Sequence, residues 1–262
     1  MKAWLLLAIA AIASPAEART LKVCADPNNL PFSNAMEEGF ENRIVRIVAD
    51  ELKADVQYVW WAQRRGNVRE TLNEGLCDLI PGVASSLEML ATTRPYYRSA
   101  YVIVVRDPAL KGLSSFDDPR LPDLKLAVQL IGDDGSNTPP AHALARRGMT
   151  ANVRGYTVYG DYDQPTPQAP ILSAVASGEV DAAFVWGPTA GYFAQRQQAP
   201  LSLTPVSPLV DGPSWPMMFD VSMGVRRADR KLKQELEAVL ERRHQDIQTI
   251  LLNYGVPLLD RE

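Results

Sequence analysis

Short apolar runs alternate with segments of helical periodicity along nearly the whole chain, which confines it to strands joined by crossover helices. Leu21 to Ala25 predicts a strand, and Gly39 to Leu52 a helix with Phe40, Ile44, Ile47, Val48 and Leu52 on one face. Val56 to Trp60 predicts a second strand, Val68 to Glu74 a helix, Asp78 to Val83 a third strand and Tyr101 to Val105 a fourth. Asp107-Pro108, Gly112 and Asp117-Asp118-Pro119 then interrupt the pattern, as a crossing between lobes would. A second set follows: the strand Leu124 to Gln129, a helix after Thr138-Pro139-Pro140, the helix Pro170 to Ser177, the strand Val180 to Val185 and the helix Pro188 to Gln197. Thr138 suits a helix cap, and proline is tolerated in a first turn. The proline-rich stretch from Pro200 to Trp215 reads as the return crossing. It leads to the strand Val221 to Arg226 and the terminal helices Arg230 to Arg243 and Gln245 to Tyr254. The expected fold is α/β in two lobes, each a mostly parallel sheet flanked by helices, with 19–106 and 207–262 in one lobe and 107–206 in the other.

The first 18 residues stand apart. Lys2 precedes an apolar stretch from Ala3 to Ala13 and the small-residue pattern Ala16-Glu17-Ala18, which reads as a secretory signal peptide cut after Ala18. A membrane-spanning helix needs about 20 apolar residues, and no later segment supplies them, so membrane insertion is not expected. With 27 basic and 31 acidic residues the chain has no surplus of positive charge to attract nucleic acid.

Export also bears on Cys24 and Cys77, the two cysteines. An oxidising compartment favours pairing them, and the bridge would close a loop of about 54 residues, stabilising by about 4 kcal/mol in the chain-entropy model. Register argues the other way. Cys24 falls late in its strand and Cys77 ahead of another, an offset of about three residues or 10 Å, so bridging requires the backbone to bulge. Two buried thiols are the alternative.

Taken in order, several local motifs resemble the periplasmic solute-binding proteins that feed importers of polar amino acids. They are Leu21-Lys22-Val23-Cys24-Ala25-Asp26 with Pro31-Phe32, Gly39-Phe40-Glu41, Gly75-Leu76-Cys77-Asp78, Pro95-Tyr96-Tyr97, Ala127-Val128-Gln129 and Gly178-Glu179-Val180-Asp181-Ala182. That resemblance implies two lobes closing on a solute about a two-strand hinge, here from Tyr101 to Arg106 and within Ser202 to Arg226. Ligands of such sheets sit beyond the carboxyl ends of strands. The candidate cleft residues are therefore Asn29, Phe32, Trp61, Arg64, Arg65, Ser85, Met89, Gln129, Asp134 and Trp186.

Two of these depart from the family. Where its members run Thr-x-Glu-Arg, with an arginine for the ligand's carboxylate, this chain runs Ser86-Leu87-Glu88-Met89. Where they place an aspartate for the ammonium, it has Val185-Trp186-Gly187-Pro188. Methionine and tryptophan enlarge the apolar surface and lower the charge, which favours a small apolar ligand or none. The alternative is that both are packing residues and that Arg64 or Arg65 serves as the clamp.

The runs Cys24 to Asn34, Gln129 to Gly135 with Asn137 to Leu144, and Val185 to Pro188 further resemble the MoxJ and XoxJ type of accessory protein. That resemblance implies a periplasmic partner of a pyrroloquinoline-quinone methanol dehydrogenase, with no cofactor of its own and no catalysis. Consistently, the sequence has no Gly-x-Ser-x-Gly elbow, His-Glu-x-x-His pair or Walker loop. His142 reads as a surface or capping residue, and His244 as part of a charged face with Arg242, Arg243 and Asp246. Asp133-Asp134 falls short of the six to eight oxygens that calcium takes and reads as a loop and helix cap. Among Phe32, Trp60, Trp61, Trp186 and Trp215, strand alternation requires only one of Trp60 and Trp61 to be buried.

Overall fold

A computed structural model describes residues 19–132, 137–213 and 215–260. The segment read as a signal peptide, residues 1–18, lies outside the described residues, as do Asp133 and Asp134.

The first lobe begins with β1 (Arg19–Ala25), α1 (Phe40–Leu52), β2 (Ala54–Trp60), α2 (Asn67–Glu70) and β3 (Ile80–Ala84). β4 (Tyr97–Val105) leaves it. The second lobe contains β5 (Leu126–Leu130), α3 (Pro139–Arg146), β6 (Val153–Thr157), α4 (Pro170–Ser177), β7 (Ala182–Trp186), α5 (Gly187–Ala194) and β8 (Ser202–Pro205). β9 (Met218–Val225) returns, followed by α6 (Arg230–Arg242) and α7 (His244–Asn253).

The central sheet is mixed, with parallel pairing within the lobes and antiparallel pairing along the strands that cross between them. Its order is β3-β9-β4-β7-β5-β6, with β8 also on β4 and a two-residue strand, Ala91–Thr92, on β9. β1 pairs β2 in parallel, and its Val23 forms an isolated parallel bridge to Leu79, the residue before β3. In the second lobe β5, β6 and β7 are parallel. The strands that carry the chain between lobes, β4 and β9, run antiparallel to their neighbours. β4 is shared: Tyr97 to Ala100 pair with β9, whereas Tyr101 to Val105 pair with β7.

Burial follows periodicity. Phe40, Ile44, Val45 and Val48 of α1 pack with Leu21, Val23, Val221 and Met223 into the first lobe's core. Along β4, Ile103 and Val105 enter a cluster with Phe116 and Phe184, while Val102 and Val104 enter another with Leu172 and Val175. Alternate residues of a strand face opposite sides, so this part of β4 is buried on both faces. Thr138 caps α3 as expected, its hydroxyl accepting from the Ala141 amide at 3.4 Å. α2 is shorter than its periodicity predicts. The Thr71 hydroxyl donates to the Asn67 carbonyl at 2.7 Å, and the helix ends there. β6 escaped the sequence reading because most of its residues are polar and none is fully buried.

Cys24 and Cys77 are bridged, with Cα atoms 5.6 Å apart. The register argument overestimated that separation because Cys77 is not extended strand. Gly75 takes a left-handed φ of 73°, open to glycine without steric cost, and turns the chain back toward β1. The Arg226 guanidinium then holds the Cys77 carbonyl and, at 3.0 Å, the Asp78 carboxylate.

Past α7 the chain straps both lobes. Ser99 donates to the Pro257 carbonyl at 2.6 Å, and the Leu259 amide to the Arg98 carbonyl at 3.0 Å. Tyr254 stacks on Tyr192 of the second lobe and meets Phe40 of the first edge-on.

Candidate functional site

Between the lobes lies a cavity of about 320 Å³. Its apolar wall is aromatic: Phe32 follows β1, Tyr97 and Tyr101 lie on β4, Trp186 ends β7 and Phe219 lies on β9. Trp186 meets Tyr101 and Phe219 edge-on, at 5.3 and 5.8 Å between ring centroids. Its amide donates to Gln129 Oε1 at 2.8 Å, so two lining residues fix one another.

The polar wall contains a carboxyl, Glu41, at the second position of α1. Asn42 organises that helix start by accepting from the Gly39 amide at 3.1 Å. Glu41 is 2% exposed, and its Oε2 has no hydrogen-bond partner. Gly82 makes room for it, since a Cβ there would stand 1.9 Å from Glu41 Oε1. Burial, reinforced by the nearby Asp26 carboxylate, pushes the Glu41 carboxyl up to about 8. Loss of hydration outweighs the positive helix end, so this group carries its proton at neutral pH.

Opposite the hinge strands, the loop after β6 reaches across to the first lobe. The Tyr162 hydroxyl donates to Asp26 Oδ2, whose other partner is the Gln63 amide at 2.7 Å. Asn28 Nδ2 donates to the carbonyls of Tyr162 and Gln164, at 3.1 and 2.9 Å. Gln168 Nε2 reaches Asn29 Oδ1 at 3.0 Å, and Arg64 lies over the rings of Tyr159 and Tyr162. Burial and the hydrogen bond to Asp26 hold the Tyr162 hydroxyl well above the usual phenol range.

Asn29, Phe32, Gln129 and Trp186 thus line the cavity, while Trp61, Arg64, Arg65, Ser85 and Met89 do not. Trp61 and Met89 are 40% and 50% exposed. Ser85 Oγ is 2.6 Å from Ser222 Oγ, Arg64 belongs to the latch just described, and Arg65 is exposed. Trp60 stacks on Tyr58, and Trp215 packs on His142, whose Nε2 accepts from the Asn137 amide at 3.2 Å. Among the described residues no cluster of His, Cys, Asp or Glu could hold a metal ion, and no helix is long and apolar enough to cross a membrane. Sequence reasoning passed over Glu41, Gln63, Tyr159, Tyr162 and Gln168. An acid beside Phe40 and near Ile44 on one helical arc was a usable signal for the first. The loop carries no periodicity.

Residues 48–241 match the family described as bacterial extracellular solute-binding protein. Protein MoxJ of Methylorubrum extorquens AM1 is 32% identical over 95% of this chain and 85% of its own length. The chain belongs to the bacterial extracellular solute-binding proteins, in their MoxJ branch. Among solved structures, the periplasmic binding protein XoxJ of Methylobacterium extorquens AM1 is 38% identical, with a TM-score of 0.75 over 92% of this chain and all of the other. MxaJ from Methlophaga aminisulfidivorans MPT is 27% identical, with the same TM-score and the same coverage. In this MoxJ-type chain Trp186 contributes an indole to the cavity and Met89 contributes nothing, so neither position offers a charge to an amino acid.

Proposed function

We propose that the chain is a periplasmic accessory protein of methanol oxidation, which binds or activates a pyrroloquinoline-quinone-dependent methanol dehydrogenase through the cleft between its lobes. Residues 19–106 with 207–262 form one lobe in this reading and 107–206 the other, and the role is binding without turnover. The observation that carries it is the aromatic cavity wall, to which Trp186 contributes its indole, in a chain similar to MoxJ and XoxJ over most of its length. Burying a zwitterion there would leave its carboxylate without a cationic partner, which is costly. Affinity capture from the periplasm of methanol-grown cells should recover a quinoprotein dehydrogenase. Recovery of none, with apo and holo enzyme both present, overturns the reading.

The mainly apolar lining of the cavity favours a second reading, an importer receptor for a weakly polar or apolar small solute. A metabolite at a hundred times its Kd would then stabilise the protein by about 2.7 kcal/mol. A saturable thermal shift with one solute and no dehydrogenase capture would select this reading.

A further inference from the structure

The outer edge of the first lobe's sheet is unpartnered. β2 pairs with β1 alone, and its register has no bulge. Parallel strands bond through alternate residues, and the Trp61 amide donates to the Ala25 carbonyl at 2.9 Å, so Gln57 and Val59 turn their backbone groups toward β1. Val56, Tyr58 and Trp60 turn theirs outward, where no hydrogen-bond partner meets them among the described residues. Such a row of N–H and C=O groups is a template for another strand. β6, outermost in the second lobe, is blunted by Gly155 at its middle and by the exposed Arg154. Residues 56–60 of β2 carry no proline, glycine or charge. Apart from Gln57 they are β-branched or aromatic, the types that favour pairing, and Trp61 just beyond is 40% exposed.

We propose that β2 is a dimerisation strand, which pairs antiparallel with β2 of a second copy of this chain about a two-fold axis through Tyr58 and joins the two first-lobe sheets edge to edge. That register uses every outward residue. Val56 meets the second copy's Trp60 and Tyr58 meets its own counterpart, each pair exchanging both N–H···O bonds. The side chains of Val56 and Tyr58 pack toward α1, with Trp60 stacked on Tyr58, so the junction gives each an aromatic or β-branched neighbour on that face. On the other face Asp55 comes opposite the second copy's Trp61, whose indole N–H is a donor for the carboxylate.

Charge complementarity selects a second copy, and in the antiparallel sense. Exposed Asp50 and Asp55 stand at the start of β2, with Lys53 offsetting one of them, and exposed Arg64 and Arg65 follow its end. Antiparallel pairing brings the acidic start of each copy against the basic end of the other, whereas parallel pairing sets like against like. The contact is isologous, so it closes at two copies and leaves no further β2 edge to recruit a third.

The test is sedimentation of the purified full chain from about 1 µM to about 1 mM, with amide hydrogen exchange at both ends of that range. A reversible monomer–dimer equilibrium is expected. The amides of Val56, Tyr58 and Trp60 should be protected only at high concentration, and those of Gln57 and Val59 throughout, because β1 holds them. Val56→Pro removes an outward N–H and leaves the bonds to β1, so it should weaken dimerisation about tenfold or more. Should that variant misfold, the exchange pattern of the unmodified chain decides. Tyr58→Cys should oxidise to a disulfide-linked dimer, since facing Cα atoms of a bonded pair stand about 5.5 Å apart. A monomer across the whole range, a dimer whose Val56, Tyr58 and Trp60 amides exchange freely, or a dimer that Val56→Pro leaves unchanged overturns the proposal. Protection of those amides only on adding a different protein also overturns it, and gives the edge to a strand of that protein.

Discussion

The lobes meet at two ends, and the ends are built differently. At the hinge, β4 passes from one lobe's sheet into the other's, with Val102, Ile103 and Val104 fully buried. The segment after α7 adds backbone and aromatic contacts there, and its approach is close: a Cβ on Gly191 would stand 1.7 Å from the Gly255 carbonyl oxygen. At the latch, the loop from Val158 to Gln168 holds the first lobe through a few hydrogen bonds and one guanidinium over two rings. The hinge is tied into the apolar cores, so loosening it should unfold the protein. The latch is only partly buried, with Arg64 exposed and Asn28 and Tyr162 partly so, and a hydrogen bond contributes about 1 kcal/mol net, so loosening it should open the cleft and leave the fold. Glu41 lies in the cavity between them.

Four substitutions sharpen the contrast. Ile103→Ala should cost about 3 kcal/mol of global stability, because the methyl groups removed sit between two packed layers. Denaturant unfolding with an unchanged slope would show it, and a loss under about 1 kcal/mol would mean that the hinge strand is not part of the core. Glu41→Gln should stabilise by an amount that depends on pH. The folded carboxyl titrates at about 8 and the ordinary one at 4.5, so between these values the folded state holds a proton that the unfolded chain has lost. Stability therefore falls as pH rises from about 4.5 to about 8 and is flat beyond. The variant should lack that fall and gain on the order of a few kcal/mol at pH 8 and nothing at pH 4. Equal unfolding curves at both pH values would place Glu41 in water.

Tyr162→Phe should shift the balance between closed and open lobes by about 1 kcal/mol with little change in Tm. Small-angle scattering is the measurement, and an unchanged radius of gyration would remove Tyr162 from the latch. Arg64→Ala should act in the same direction by less than about 1 kcal/mol, since the guanidinium over Tyr159 and Tyr162 is exposed.

The helices show how much was legible. Pro170–Ser177 was readable to the residue, because proline at its start and Gly178 after its end mark both limits. β6 and β8 were not, as edge strands without an apolar alternation. The aromatic half of the site was legible through Phe32 and Trp186, whose places follow from strand ends. Trp61, Arg64, Arg65, Ser85 and Met89 were placed by the same rule, yet the rule gives only the end of the sheet. Which side chain turns into the cavity depends on the loop beyond, as Arg64 shows by turning to the latch.

By itself the sequence determined the order of strands and helices, the two lobes and the absence of a charged pair at positions 89 and 186. These are local properties, set by periodicity and by residue identity at strand ends. The tertiary structure decided the rest. Bridging of Cys24 to Cys77 came from a turn at Gly75, the latch from a loop without periodicity, and the raised titration of Glu41 from burial. Each depends on which distant segments exclude water together, and desolvation has no signature along a chain.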